Sequence, residues 1–116
     1  MADVTIWHNQ RCSKSRGALA ILEERGIDHD VVRYLEDTPS RAELERVLGL
    51  LGTDDPTVIA RRNEERWKEL DLDHADRSTI LDALAAHPAL IERPIVIKGT
   101  RAVVARPSER VLELLD

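Results

Sequence analysis

The segment from Asp3 to Gly26, DVTIWHNQRCSKSRGALAILEERG, decides the predicted fold. A β-rich run over Asp3–Trp7 ends at polar residues. From Ser13 onward the apolar residues recur at helical spacing as far as Gly26, which stands where a C-terminal glycine cap belongs. A second β-rich run covers His29–Tyr34. A strand, a helix and a strand in this order predict a right-handed βαβ unit with two parallel strands.

The middle of the chain predicts a helical insertion at about residues 39–87. Its first helix begins either at Thr38, as the N-cap before Pro39, or at Ser40 in a capping box with Glu43. Further short helices are predicted at 56–62, 64–70 and 78–86. No repeat or linker separates these segments, so residues 1–116 are expected to form one domain.

The last part of the chain returns to β structure. Apolar runs at 95–97 and 102–104 are joined across Gly99 and Thr100 as a tight hairpin, and Pro107 opens a final helix. Two early parallel strands and a late antiparallel pair are the layout of a thioredoxin-like α/β fold. The prediction is a four-stranded mixed sheet with a helical insertion between a βαβ and a ββα unit.

Composition limits the possible functions. The 116 residues include 22 acidic and 17 basic ones, a net charge of -5, which argues against a nucleic-acid-binding surface. The N-terminal residues do not resemble a signal peptide and no apolar run approaches membrane-spanning length. We expect a cytoplasmic, monomeric protein that binds neither nucleic acid nor membrane. A single cysteine cannot form an internal disulfide, so redox chemistry needs a second thiol from another molecule.

That cysteine, Cys12, stands between the first strand and the first helix. Residues 8–16 contain Arg11, Lys14 and Arg16 and no acidic residue. A helix N-terminus and nearby cations both favour the thiolate, the reactive form of cysteine. The pattern indicates a nucleophile that acts on an anion, rather than an inert buried thiol.

Two neighbours are candidates for tuning the thiol. His8 could hydrogen-bond the thiolate or supply positive charge, or it could be a surface histidine at a strand end. Ser15 lies three residues after Cys12, in the place of the resolving cysteine of a Cys-x-x-Cys pair. Its hydroxyl could donate a hydrogen bond to the sulfur but cannot form a disulfide.

Three arginines stand at predicted junctions between elements, namely Arg61, Arg93 and Arg106. The planar guanidinium binds oxyanions bidentately, which makes them candidate oxyanion ligands if the fold brings them to Cys12. The histidines and carboxylates show no spacing suited to a metal site.

Four motifs, in order along nearly the whole chain, carry a family resemblance: His-Asn-x-x-Cys-x-x-Ser-Arg at 8–16, Arg61 with Asn63 and Glu69-Leu70, His87-Pro88 before Arg93-Pro94-Ile95-Val96, and Arg106-Pro107-Ser108-Glu109. Together they resemble the glutaredoxin-coupled arsenate reductase family, within the thioredoxin-like superfamily. The set is far more specific than any one motif.

The resemblance implies an arsenate reductase in which Cys12 is the nucleophile, tuned by His8 and Ser15. It assigns the oxyanion, arsenate or a similar anion, to Arg61, Arg93 and Arg106. Pro94 is implied to be the cis-proline beside the site. Lys14 and Arg16, from the basic loop around Cys12, are predicted to be supporting cations. Glutathione would be a co-substrate and glutaredoxin a partner, with no tightly bound cofactor.

One departure leaves alternatives open. Better-known arsenate reductases of this family carry Gly-Thr after the cysteine, where this chain has Ser13 and Lys14. A second hypothesis is therefore a glutathione-dependent thiol-disulfide oxidoreductase. A third is a redox regulator that resembles the Spx-type proteins, which bind RNA polymerase; those typically carry a Cys-x-x-Cys switch, which Ser15 interrupts here.

Overall fold

The structure is a computed structural model that describes residues 2–115. Its sheet has four strands: β1 (Val4–Trp7), β2 (His29–Val32), β3 (Ile95–Lys98) and β4 (Arg101–Val104). Their order is β2-β1-β3-β4, with β1 parallel to β2 and the other two pairings antiparallel. The predicted mixed sheet is confirmed, and its first two strands are slightly shorter than predicted.

Four α-helices are described: α1 (Ser13–Glu24), α2 (Arg41–Leu51), α3 (Glu65–Glu69) and α4 (Arg77–Ala86). Short 3₁₀ segments occupy Pro56–Ile59, Leu72–His74, Pro88–Leu90 and Ser108–Leu114. The β-branched residues of β1 and the helical spacing after Ser13 explain why the βαβ prediction holds.

Two helix predictions are corrected, and a third, left open between two start points, is settled. α2 begins after Ser40, whose Oγ accepts the N–H of Glu43 while the Glu43 carboxylate accepts the N–H of Ser40, so the capping box and not Thr38 sets its start. The predicted helix at 56–62 is a 3₁₀ segment that stops early, because Ala60 must extend to form a β-bridge with Ile91. The final helix is likewise a 3₁₀ segment.

The chain divides into two compact units. The first comprises the residues up to Asp37 together with those from Arg93 onward, and it contains the whole sheet. Its core joins the sheet to α1 and the C-terminal 3₁₀ segment through buried aliphatic residues: Val4, Ile6, Ala18, Leu22, Val96, Val103, Ala105, Val111 and Leu114. This packing fixes the N-terminus of α1 beside the end of β1.

The second unit, Thr38–Glu92, is helical and contains the predicted insertion. Leu44, Val47 and Leu48 of α2 are buried, as are Leu81 and Leu84 of α4, and the two helices pack together. Within residues 2–115, every helix is either too short or too polar to span a lipid bilayer.

Candidate active site

Cys12 is the N-cap residue of α1, the position predicted from the sequence. Its N–H donates to the carbonyl of Asn9 at 3.0 Å, and its carbonyl accepts the N–H of Arg16 at 2.9 Å. The Asn9 side chain accepts the N–H of Arg11 at 3.0 Å. These bonds hold the loop in a tight turn at the helix N-terminus, where backbone N–H groups lack helical partners.

The surroundings of Cys12 lower the pKa of its thiol below the usual 9.0. Partial burial acts in the opposite direction and is the largest single influence. It is outweighed by the N–H of Ser15, the Arg93 side chain and the N–H of Lys14, with the charge of Arg93 adding to them. These two N–H groups do not form a regular N-cap hydrogen bond with the Cys12 side chain. The thiolate is therefore more favoured than in a free cysteine, as the helix position predicts, but the cation that lowers its pKa is Arg93 and not one of the local cations Arg11, Lys14 and Arg16.

Two arginines distant in sequence reach the sulfur. Arg106 Nη1 lies 3.8 Å from Cys12 Sγ and donates to the carbonyl of Arg93 at 3.0 Å. Together with the Arg93 effect on the thiol, this contact places both guanidinium groups beside Cys12. We call Arg93 and Arg106 the arginine pair.

Sheet topology explains how the arginine pair arrives there. Because β3 is antiparallel to both its neighbours, Ile95 at its start pairs with Trp7 at the end of β1 and Val104 at the end of β4. Arg93 precedes β3 and Arg106 follows β4, so both stand at the edge of the sheet from which the Cys12 loop leaves. The Arg93–Pro94 peptide bond is cis, as the resemblance implies, and so is the bond between Arg106 and the next residue.

His8 and Ser15 form a buried pair behind the loop. His8 Nδ1 and Ser15 Oγ are 2.6 Å apart, and the N–H of Asn9 donates to the same Oγ at 3.0 Å. Since Ser15 Oγ already accepts from Asn9, its single proton is best used toward His8 Nδ1. The hydroxyl thus orders the loop, whereas it is the Ser15 main-chain N–H that acts on the sulfur.

Burial lowers the pKa of His8 below 6.5. The charges of Arg33 and Arg16 act in the same direction, and Glu23 acts against them. The imidazole is therefore neutral at neutral pH, which argues against a supply of positive charge. The hydrogen bond that His8 makes is to Ser15 Oγ and not to the sulfur.

The two supporting cations are exposed. The Arg16 guanidinium donates to the carbonyl of Gln10 at 3.0 Å and braces the loop. The carbonyl of Lys14 accepts a 2.7 Å hydrogen bond from Ser108, while its side chain reaches solvent.

Arg61 belongs to the second unit. Its N–H donates to the carbonyl of Leu90 at 2.7 Å, and its guanidinium pairs with Glu64 at 2.9 Å and with Glu92 at 3.8 Å. These contacts hold Arg61 in place directly after Ala60, which forms the β-bridge with Ile91. Its role as an oxyanion ligand stays a prediction of the resemblance.

One contact beside the site was not predicted from the sequence. Within the first unit, it joins α1 to the segment that follows β4. Ser108 is buried, and a Cβ added at Gly17 would stand 2.5 Å from its Oγ. A glycine inside a helix weakens the helix, so its presence at Gly17 is a sequence signal that another segment approaches closely. Here that segment is the one that follows Arg106.

Comparisons with known proteins show which family the chain resembles along its length. The ArsC family model matches residues 7–114. An arsenate reductase of Neisseria meningitidis serogroup A is 44% identical over 99% of this chain and 100% of its own length. One from Haemophilus influenzae is 46% identical, with 97% and 98% covered. A solved structure of an arsenate reductase from Vibrio cholerae has a TM-score of 0.91 at 46% identity, covering 95% of each chain.

Proposed function

This chain belongs to the ArsC family, and from that premise we propose that it reduces arsenate to arsenite with electrons from glutathione and glutaredoxin. The observation that carries the proposal is the single thiol of Cys12, whose pKa is lowered, beside two guanidinium groups at the N-terminus of α1. A nucleophilic sulfur and a cationic cradle are the two requirements for attack on an oxyanion.

In the first step the Cys12 thiolate attacks the arsenic of arsenate. A sulfur–arsenic bond forms and one arsenic–oxygen bond breaks, with the oxygen leaving as water after protonation. Arsenic stays pentavalent in this step. The arginine pair would hold the arsenate oxygens and offset their charge as the thiolate approaches, because hydrogen bonds between guanidinium groups and oxyanions are charge-assisted.

In the second step a thiolate from glutathione attacks the sulfur of Cys12. A disulfide forms between the two sulfurs, the sulfur–arsenic bond breaks, and its electron pair reduces arsenic to the trivalent state, which leaves as arsenite. A further thiol, from glutathione or glutaredoxin, then exchanges with the mixed disulfide and restores the Cys12 thiolate. Two thiols are thus oxidised for each arsenate reduced, and because Cys12 is the only cysteine both come from outside.

The local structure supports separate roles for the residues around Cys12. The N–H groups of Ser15 and Lys14 act on the sulfur, so the start of α1 stabilises the thiolate together with Arg93. The neutral His8 and the Ser15 hydroxyl position the loop from behind. They are proposed as positioning residues, and the arginine pair as the substrate-binding part.

The experiment is a coupled assay in which arsenate-dependent oxidation of NADPH is followed with glutathione, glutaredoxin and glutathione reductase. We expect turnover with the wild-type chain and none with Cys12→Ser, which has no thiol to form the adduct. Equal rates for the two proteins would remove the proposal.

The source of electrons is tested separately. Omitting glutaredoxin, and then replacing glutathione with reduced thioredoxin, shows which thiol closes the cycle. A rate that depends on thioredoxin alone would keep arsenate as the substrate and overturn the glutathione and glutaredoxin part of the proposal.

A further inference from the structure

A cleft of about 380 Å³ opens next to the Cys12 loop on the side of β2. All of its lining residues belong to the first unit, and they come from the loop after β1 and the segment after β2. Its volume lies at the lower end of the range for small-molecule sites. Cys12 and the arginine pair do not line it, so the proposed reaction leaves this cleft unused.

The charges around the cleft form a definite pattern. Arg11 and Arg33 both line it, as does Glu36, and all three side chains are exposed. Within the described residues 2–115 none of the three takes part in an ion pair. Leu35, 42% exposed, adds an apolar surface to the lining. The cleft therefore offers two unneutralised guanidinium groups, one carboxylate and a patch of hydrocarbon.

The cleft is also close to the reacting sulfur. His8 lines it, and the Nδ1 atom of His8 contacts Ser15 Oγ at 2.6 Å. The N–H of Ser15 in turn acts on the thiol of Cys12. The cleft also includes Arg11, the residue that precedes Cys12, so a molecule bound there lies against the loop that carries the nucleophile.

We propose that this cleft binds the charged ends of the thiol co-substrate, a small peptide thiol with two carboxylates and one ammonium group, which is the charge pattern of glutathione. The inference rests on the proposed function, which requires an external thiol. Arg11 and Arg33 would each hold a carboxylate, and Glu36 the ammonium group. Guanidinium groups pair with carboxylates through two parallel hydrogen bonds, which makes two arginines a specific receptor for such a molecule.

Binding is tested first without turnover. S-Methylglutathione, which cannot react, is titrated calorimetrically into the wild-type chain and into Arg11→Gln, Arg33→Gln and the control Arg25→Gln. Arg25 is an exposed arginine of the same unit that does not line the cleft. The titrations are run at pH 8, where His8 is neutral in every variant.

We expect each cleft variant to weaken binding about tenfold, the loss of one charge-assisted contact, and the control to stay within about twofold of wild type. Affinity that is equal in all four proteins, or no binding of S-methylglutathione to the wild type at millimolar concentration, would overturn the inference. Neither result depends on whether arsenate is a substrate.

The assignment of Glu36 has its own test. Glu36→Gln should weaken S-methylglutathione by about threefold but leave unchanged the affinity of an analogue that lacks the amino group. An equal effect on both molecules would contradict the assignment.

Turnover then separates this inference from the proposed function. If the chain reduces arsenate, Arg33→Gln should raise the KM for glutathione about tenfold without changing the KM for arsenate or the rate with 2-mercaptoethanol, which has no carboxylate. An unchanged KM for glutathione in a protein that reduces arsenate refutes the cleft alone. Absence of arsenate turnover refutes the proposed function, and the calorimetric result still decides the cleft.

Discussion

Two regions surround Cys12, and they contribute in different ways. The cysteine loop, residues 8–16, is local in sequence and supplies backbone N–H groups and a neutral, buried histidine. The arginine pair comes from the far end of the chain, with Arg106 94 residues from Cys12, and supplies full charges. The local region contributes the N–H groups that favour a thiolate and Arg93 adds to them, whereas an oxyanion needs the charges that only the folded sheet brings to the site.

The largest expected effect comes from Arg106, because it is the distant charge that contacts the sulfur. Arg106→Ala should lower kcat/KM for arsenate by about 10²–10³, the usual loss when one preorganised donor to an oxyanion is removed. The kcat/KM of Arg106→Lys should lie between those of the wild type and Arg106→Ala, since lysine keeps the charge but lacks the planar guanidinium group. Steady-state kinetics with Arg25→Ala as a matched control measures both.

The same variant separates the two enzyme hypotheses. A thiol-disulfide oxidoreductase needs Cys12 but no oxyanion ligand, so its activity on a small disulfide should survive Arg106→Ala. Arsenate turnover that also survives would show that the arginine pair is not the anion site.

The next largest effect tests how the two regions are held together. Ser108 Oγ donates to the carbonyl of Lys14 at 2.7 Å and leaves no room for a Cβ at Gly17. Gly17→Ala should therefore destabilise the protein by about 1–3 kcal/mol, the typical cost of overpacking, even though alanine favours helices. Urea unfolding followed by circular dichroism gives the free energy of unfolding.

Gly49→Ala is the matched control, because a Cβ at Gly49 in α2 meets nothing within 4 Å. It should be neutral or slightly stabilising. Combining Gly17→Ala with Ser108→Ala should recover only part of the loss, since the Ser108 Cβ would still be 3.0 Å away. A Gly17→Ala protein as stable as the Gly49→Ala protein would mean that the Ser108 side chain can move away from the added Cβ at little energetic cost.

The difference between the two regions also explains what the sequence could predict. The strand before Cys12 and the helix after it follow from local patterns, so the position of the thiol and the direction of its pKa shift were accessible. The approach of Arg106 was not, because spacing carries no information about which sheet edge a distant residue reaches. Only the family resemblance pointed to it.

Other features depended on tertiary contacts and were missed or mistaken. The 3₁₀ form of Ser108–Leu114 was mistaken for a regular helix because its apolar spacing suits both, and its buried residues Val111 and Leu114 pack into the core. The hydroxyl of Ser15 was expected at the sulfur, yet it lies against His8, since a side chain's partner depends on the rotamer and not on the i+3 spacing.

A smaller effect concerns the charge of Arg93 on the thiol. Arg93→Gln should raise the pKa of Cys12 toward 9.0, because it removes both the Arg93 hydrogen bond and its charge. The rate of alkylation by iodoacetamide against pH reports this pKa directly, since the chain has no other cysteine. Ser15→Ala is the informative comparison, because it keeps the N–H that acts on the sulfur and should leave the pKa closer to the wild-type value. If both variants shifted it equally, the ordered loop and not the distant charge would control the thiol.

The smallest effect is the pH dependence of stability that the buried His8 creates. Its folded pKa is lowered, so below pH 6.5 the unfolded chain takes up a proton that the folded chain resists. The free energy of unfolding should therefore fall as pH decreases from 6.5 toward the lowered value, and the slope should diminish in His8→Gln. His74 contributes with the opposite sign, because Asp71 raises its pKa. The slope of His8→Gln is therefore compared with that of the wild-type protein and not with a slope of zero. The slope is the decisive quantity, since Gln changes the absolute stability by disturbing Ser15. Identical slopes would mean that His8 has the same pKa in the folded and unfolded chains, so that burial does not keep it neutral as the pH falls below 6.5.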